Sequence, residues 1–359
     1  MSPRKEVIGP GHPGGPVRPE RAESSNPQPV AADTAVEGVI RPHTLSEFIG
    51  QGEIKAHIDV VIRAALARGQ SVDHLLFAGP PGLGKTSLAQ IVANEMGAGF
   101  RVTSGPTLVR GGDLAAMLNA LNAGDVLFID EIHRMSKAVG EVLYPAMEDF
   151  KIDILIGEGP TARSIRLDLP PFTLIGATTR TGMLTGPLRD RFGFVARLDY
   201  YQPEDLAAIV ARSASILGIE IDPGACGEIA RRSRGTPRLA NRLLRRVRDY
   251  VEVHADGVIE EKLAGDALSF FGADELGLDK LDRAILETMC VTYRGNPVGI
   301  STLAATIGED AETIEDVYEP FLIQAGLVTR TPRGRVPGPL AYEHLGLERP
   351  GPGGDLFQS

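Results

Sequence analysis

Tryptophan is absent from this chain of 359 residues, cysteine occurs twice, and aromatic residues make up only 5%. Cys226 and Cys290 lie far apart, with no Cys or His grouped around them, which argues against a zinc cluster or a disulfide framework. The seven histidines are scattered singly and read as surface or packing residues rather than ligands. No apolar run reaches the roughly 18 residues of a membrane span, and no charged-then-apolar leader opens the chain. A cytoplasmic protein with no membrane contact is therefore expected. Positive charge is also in short supply, with 37 Lys and Arg against 47 Asp and Glu and a net charge of −10. That excludes a uniformly basic coat for nucleic acid but leaves room for local basic patches.

What is present centres on Gly79-Pro80-Pro81-Gly82-Leu83-Gly84-Lys85-Thr86, which fits the phosphate-loop pattern. The apolar run Leu75-Leu76-Phe77-Ala78 precedes it as a short buried strand. Leu88, Ile91, Val92 and Met96 follow at helical spacing until Gly97. Strand, glycine loop and helix together turn backbone N–H groups toward phosphate oxygens and present the positive end of a helix. Lys85 then reaches the β- and γ-phosphates, and the Thr86 hydroxyl is placed to ligate Mg²⁺. A second signal is Val126-Leu127-Phe128-Ile129-Asp130-Glu131, a buried parallel strand running into two carboxylates. Carboxylates are costly there unless they serve a cation or a water. The expected roles are Mg²⁺ through water for Asp130 and polarisation of the attacking water for Glu131. The run Phe172 to Ala177 reads as another buried strand, ending at Thr178-Thr179-Arg180, where a hydroxyl can face the γ-phosphate.

The rest of the chain divides by pattern. Residues 1–36 hold seven prolines and four glycines with almost no aliphatic pattern, a composition that predicts a disordered tail. Residues 37–202 alternate strands and helices, which predicts an α/β domain with a parallel sheet. Within it a helix is expected from about Glu53 to Arg68, a hairpin over 151–169, and a last strand from Val195 to Tyr200. Over 203–273 the strand signal disappears, predicting an all-α domain. Its crowded arginines, 231, 232, 234, 238, 242, 245, 246 and 248, read as a solvated or subunit-facing surface, with Arg238 singled out at a helix start. Residues 274–346 pattern as three helices and a short hairpin, a winged helix, and 347–359 as a second tail. The presumed recognition helix carries Asp310, Glu312, Glu315, Asp316 and Glu319 and no Lys or Arg, so phosphates would repel it. The acid-free hairpin carries Arg330, Arg333 and Arg335, which predicts backbone contact with DNA through the wing.

These motifs resemble the AAA+ ATPases and, within them, the RuvB family of branch-migration motors. The resemblance covers roughly 38 to 345 and rests on the phosphate loop and on Phe-Ile-Asp-Glu-Ile-His at 128–133. It also rests on Gly-Ala-Thr-Thr-Arg at 176–180, Pro-Leu-Arg-Asp-Arg-Phe-Gly at 187–193, Arg-Gly-Thr-Pro-Arg at 234–238 and Arg-Thr-Pro-Arg-Gly-Arg at 330–335. It implies an AAA+ parallel-sheet domain, a helical lid and a winged-helix head. It further implies Thr179 as first sensor, Arg191 as the finger supplied to a neighbouring subunit, and Arg238 as second sensor. Whether Arg189 shares the finger role stays open. Gly82, Gly84, Ser87, Ile40, Arg41 and Tyr201 fall where the family holds the nucleotide. The implied partners are ATP, Mg²⁺, a homohexameric ring, duplex DNA and Holliday junctions. RuvA is expected on the hairpin 151–169, and RuvC is a further implied partner. Two other readings stay open at this point: a clamp-loader-like ATPase, and an ATP-binding scaffold without hydrolysis.

Overall fold

The computed structural model describes residues 37–156, 163–255 and 257–349. The segment 1–36, the tip of the hairpin and all but 347–349 of the C-terminal tail lie outside the described residues. The strands are β1 (Leu75–Ala78), β2 (Phe100–Ser104), β3 (Val126–Asp130), β4 (Lys151–Ile156), β5 (Arg163–Asp168), β6 (Thr173–Thr178), β7 (Phe194–Arg197), β8 (Val328–Thr331) and β9 (Gly334–Pro337). Five of them form one parallel sheet in the order β2-β3-β6-β1-β7. Strand β6 lies between β3 and β1, so the carboxyl ends of the three strands flagged by the sequence emerge side by side. Ligands of open α/β sheets gather at that edge.

Strand alternation builds the layers. Leu75, Phe77, Phe128 and Ile175 face one side of the sheet, where they pack with Ile58, Ile62, Leu88 and Val92 of the helices Gly52–Arg68 and Lys85–Glu95. Leu76, Leu127, Ile129 and Leu174 face the other, against Leu114 and Leu118 of Gly111–Asn119 and Val139 and Leu143 of Lys137–Glu148. Helices on both faces of a parallel sheet complete the three layers. The hairpin of β4 and β5 is antiparallel and forms its own sheet, as the alternation predicts. Strand β7 is shorter than expected: pairing with β1 stops at Arg197, and the chain then turns toward the lid.

The lid consists of helices Pro203–Leu217, Pro223–Arg231, Pro237–His254 and Glu261–Phe270, three of them with Pro in the first turn, where a missing N–H costs nothing. Leu206, Leu239, Leu243 and Leu268 join the sheet's first core, so the lid packs directly on the ATPase unit. The expectation of a solvated arginine surface fails at four positions. Arg232, Arg234, Arg242 and Arg245 are buried. Arg232 binds Glu228 and the Ala273 carbonyl oxygen, while Arg234 donates to the Gly277 carbonyl oxygen at 2.7 Å and pairs with Asp282 at 2.6 Å. Net charge per stretch shows how many cations there are, but not that acids distant in sequence will meet them.

The terminal unit has its own core around Leu286, Met289, Leu303, Ile314 and Leu322. Its helices are Lys280–Glu287, Ile300–Ile307 and a third that runs from Ala311–Thr313 through a π-helical turn, Ile314–Tyr318, into Glu319–Gln324. Strands β8 and β9 form the wing, followed by the helix Pro339–His344, which the sequence pattern did not suggest. Arg330 and Arg335 are cross-strand partners, so they share one face of the wing. Both reach the acidic third helix: Arg335 pairs with Glu319 at 2.9 Å and Arg330 with the same carboxylate at 2.7 Å, and both touch Glu315. Burial works to raise the pKa of Glu319, but hydrogen bonds from the two arginines together hold it below the ordinary value. The hairpin itself is acid-free, as its sequence shows, but two of its three arginines meet acids of the third helix. Arg333, at the turn, is exposed, whereas Arg335 is mostly covered.

Candidate nucleotide-binding site

The loop after β1 turns sharply at Gly79, whose φ is +143° and where a Cβ would sit 2.5 Å from the Leu198 carbonyl oxygen. Only glycine fits a backbone approach that close. Gly84 is left-handed at φ +95°, and a Cβ there would press within 3.3 Å of the Phe48 ring. The loop thus keeps its concave side free of side chains. A cavity of about 180 Å³ opens there, lined by Ile40, Arg41, Gly82, Gly84, Lys85, Thr86, Ser87, Asp130, Glu131, Tyr201 and Arg238. All the nucleotide-holding positions expected from the sequence meet in this one space, drawn from the N-terminal segment, the sheet and the lid.

Its chemistry is divided. Ile40, Pro42, Ile49, Tyr201 and Ile209 give it apolar surface suited to a flat ring system, while Lys85, Arg238, Thr86 and the two carboxylates give it charge and oxygen donors. Lys85 is almost fully buried, and its ammonium donates to the carbonyl oxygens of Gly79 and Pro80 at 2.8 Å each. Burial pushes its pKa down to about 8, against the pull of Asp130 and Glu131. A buried cation with such a depressed pKa lacks a sufficient counter-charge, and a polyphosphate supplies one. Arg238 is fixed by its own backbone, its N–H donating to the Gly82 carbonyl oxygen at 3.3 Å.

Glu131 takes the left-handed conformation, φ 47° and ψ 45°, uncommon for a residue with a side chain. The strain turns it away from the strand line, and Asp130 Oδ1 accepts its N–H at 3.0 Å. Glu131 Oε2 accepts a hydrogen bond from the Thr179 hydroxyl at 3.2 Å and lies 3.2 Å from His133 Nδ1. The pKa of His133 is lowered by burial, with Glu131 opposing. Thr86, Ser87, Asp130 and Glu131 bring side-chain oxygens to the cavity lining, and no group of three or more His, Cys, Asp or Glu is arranged for a metal among the described residues. That donor set suits Mg²⁺, which keeps waters and shares phosphate oxygens rather than filling a protein cage.

Arg191 lies outside the cavity. It donates to the Pro187 carbonyl oxygen at 2.6 Å, pairs with Glu148 at 2.9 Å and stacks 4.8 Å over the Tyr144 ring. Arg189 is exposed beside Asp190. Sequence reasoning missed Glu37 and Arg212. Glu37 lines the cavity between Arg41, at 3.4 Å, and Arg238, at 3.9 Å. Arg212, from the first lid helix, donates to the Ile40 carbonyl oxygen at 2.7 Å and pairs with Glu47 at 3.1 Å. Neither belongs to a local motif. The available signal was a cation on a lid helix otherwise apolar along that face.

Comparison with known proteins covers all three units. The family model "Holliday junction DNA helicase RuvB P-loop domain" matches residues 40–198. The "RuvB AAA lid domain" model matches 201–274 and the "RuvB C-terminal winged helix domain" model 275–346. The RuvB subunit of the Holliday junction branch migration complex from Nocardioides sp. (strain ATCC BAA-499 / JS614) is 57% identical over 318 residues, which is 89% of this chain and 88% of that protein. The corresponding subunit from Mycolicibacterium smegmatis is 58% identical over 315 residues, 88% of this chain and 90% of its own length. A solved structure of Thermotoga maritima RuvB, described as a Holliday junction branch migration motor, superposes with a TM-score of 0.80 at 49% identity, covering 87% of this chain and 100% of that one. Sheet order, lid and wing agree with that likeness, and the chain belongs to the RuvB family of AAA+ ATPases.

Proposed function

We propose that this chain hydrolyses ATP to pull duplex DNA and so drives branch migration of Holliday junctions in recombination and repair. The observation that carries the reading is the meeting of Lys85, Thr86, Asp130, Glu131 and Arg238 in one cavity at the carboxyl edge of the sheet, with Thr179 on Glu131. In this reading Lys85 and the loop amides hold the β- and γ-phosphates, and Ile40, Arg41, Gly82, Gly84, Ser87 and Tyr201 complete the nucleotide site. Thr86 and Asp130 would hold Mg²⁺, which when bound neutralises charge on the phosphates. Glu131 accepts the proton of the attacking water, Thr179 orients it, and Arg238 reports the nucleotide to the lid.

Arg191 acts on a neighbouring subunit's nucleotide within a homohexameric ring; its place outside its own cavity supports this. The domains run 37–202, 203–273 and 274–346. The head touches DNA, with Arg333 the foremost cation of the wing and Arg330 and Arg335 contributing once released from Glu315 and Glu319. The hairpin 151–169 docks RuvA, RuvC joins the complex, and the cytoplasm is its setting; no helix among the described residues is long and apolar enough to cross a membrane. The test is dissociation of a four-way junction by this chain with its junction-binding partner. ATP-dependent separation into two duplexes is expected. ATP turnover with no junction processing would favour a clamp-loader-like role.

A further inference from the structure

The acidic third helix of the head has a partner within the same chain. Arg180 Nε donates to Asp316 Oδ1 at 2.8 Å, its Nη2 contacts the same oxygen and lies 3.4 Å from Glu315, and Arg134 pairs with Glu312 at 3.6 Å. Both arginines belong to the ATPase unit, and both sit just beyond the residues that surround the hydrolytic carboxylate. Arg180 follows Thr179, and Arg134 follows His133. Among the described residues, the acidic partners of the Arg180 guanidinium, Glu315 and Asp316, both belong to the head. Its backbone N–H donates to Thr178 Oγ1 at 3.1 Å, and that hydroxyl lies 3.0 Å from His133 Nδ1. Glu315 extends the row, since its other oxygen binds the wing arginines Arg330 and Arg335.

We infer that the face Glu312, Glu315 and Asp316 is a docking surface for the ATPase unit of the same chain, and that docking restrains Glu131. An oxygen already accepting from Thr179 and facing His133 is a poorer proton acceptor than a free one. Pinning Arg180 pins the turn that carries Thr179, so the docked head holds Glu131 in this engaged state. Arg180 and Asp316 are positioning residues, and the effect rests on Glu131 being the general base. The pairs are half-exposed, with Arg180 at 29% and Asp316 at 33% side-chain exposure. Surface pairs of this kind shift an equilibrium by no more than about fivefold each, and salt screens them over roughly 10 Å at 0.1 M. The dock is therefore reversible.

The experiment has two arms. In the first, Arg134→Lys sets an amine against Glu312, and a carbodiimide joins the two as an amide with loss of one water. In a mixture of isotopically heavy and light chains the linked peptides should come only from like chains. Linking should fall with added salt and with Asp316→Arg, and return with the swap Arg180→Asp plus Asp316→Arg. Links between heavy and light chains, or links indifferent to Asp316→Arg, overturn the docking. In the second arm, DNA-free ATP turnover should rise roughly threefold to tenfold in kcat with Asp316→Arg, with KM unchanged, and the swap should restore it. A rise that the swap does not reverse, or no rise at all, overturns the restraint on Glu131. Should Asp316→Arg misfold, Glu312→Gln with Asp316→Asn removes the same charges with little change of shape. Failure of Glu131 as base would be read separately, from undiminished turnover in Glu131→Gln.

Discussion

The Thr179 hydroxyl donates to Glu131 Oε2 across 3.2 Å, joining the ends of two neighbouring parallel strands, β6 and β3. The contact places the proposed sensor of the phosphate on the proposed activator of the water. Glu131 must loosen that bond, or share it, before it can take a proton.

Glu131→Gln should therefore bind ATP about as well as the parent while losing turnover by roughly 10²–10⁴-fold, the usual size of a general-base loss. The amide keeps shape and can still accept from Thr179, but it does not polarise water. Fluorescent-nucleotide binding alongside steady-state hydrolysis checks this, and near-parental turnover would remove Glu131 from the role.

Arg191→Ala should bind nucleotide normally and fail to hydrolyse it, because in the proposed reading the finger serves the adjacent subunit. Mixed with Lys85→Ala, it should regain partial activity, since some interfaces then pair an intact loop with an intact finger. The measurement is turnover across mixing ratios, with mixed rings confirmed by mass. Absence of rescue in confirmed mixed rings would point to action within one chain or to obligatory coupling around the ring.

The depressed pKa of Lys85, about 8, gives ATP binding a pH dependence. Above that pH the free protein loses the lysine proton, and the phosphates must restore it on binding. Affinity should be flat below pH 8 and weaken above it, by up to about tenfold per pH unit, with uptake of up to one proton. Calorimetry in buffers of different ionisation enthalpy reads the proton directly. For folding, the sign is that of a depressed cation: the unfolded chain binds more protons between pH 8 and the ordinary lysine range. Stability thus rises with pH through that window and loses this contribution as pH falls through 8.

Arg335→Ala should weaken the head rather than merely its grip on DNA. It leaves the 3% exposed Glu319 with one arginine fewer, a loss of roughly 2–4 kcal/mol by analogy with broken buried pairs. Arg333→Ala should leave the denaturation midpoint unchanged and lower the slope of log affinity against log salt by about 0.9. Equal effects of the two variants on stability would refute the division of labour within the wing.

Motifs local in sequence were the legible part. The phosphate loop, the strand ending Asp130-Glu131 and the run ending Thr178-Thr179 each announce themselves within a few residues, because apolar runs and glycine spacing encode strand and turn. The parallel sheet and the winged helix followed from their order. What stayed hidden depends on partners distant in the chain. Arg234 reads as surface charge until Asp279 and Asp282 arrive from the head. Arg330 and Arg335 read as free cations until the fold lays them across Glu319. Arg212 has no motif at all, and only the packing of the lid brings it to the cavity.

Arg234 carries a mechanical consequence. Its guanidinium lies among Asp279, Asp282 and the Gly277 carbonyl oxygen, near the Phe321 ring, four residues before Arg238 at the mouth of the cavity. Burial pushes the Asp282 carboxyl up to about 7, with Arg234 pulling it back. An ion pair sealed at that joint stiffens the connection between lid and head. Turning the lid would therefore turn the head with it once the Arg180–Asp316 contact is released, as the end of a crank follows its axle.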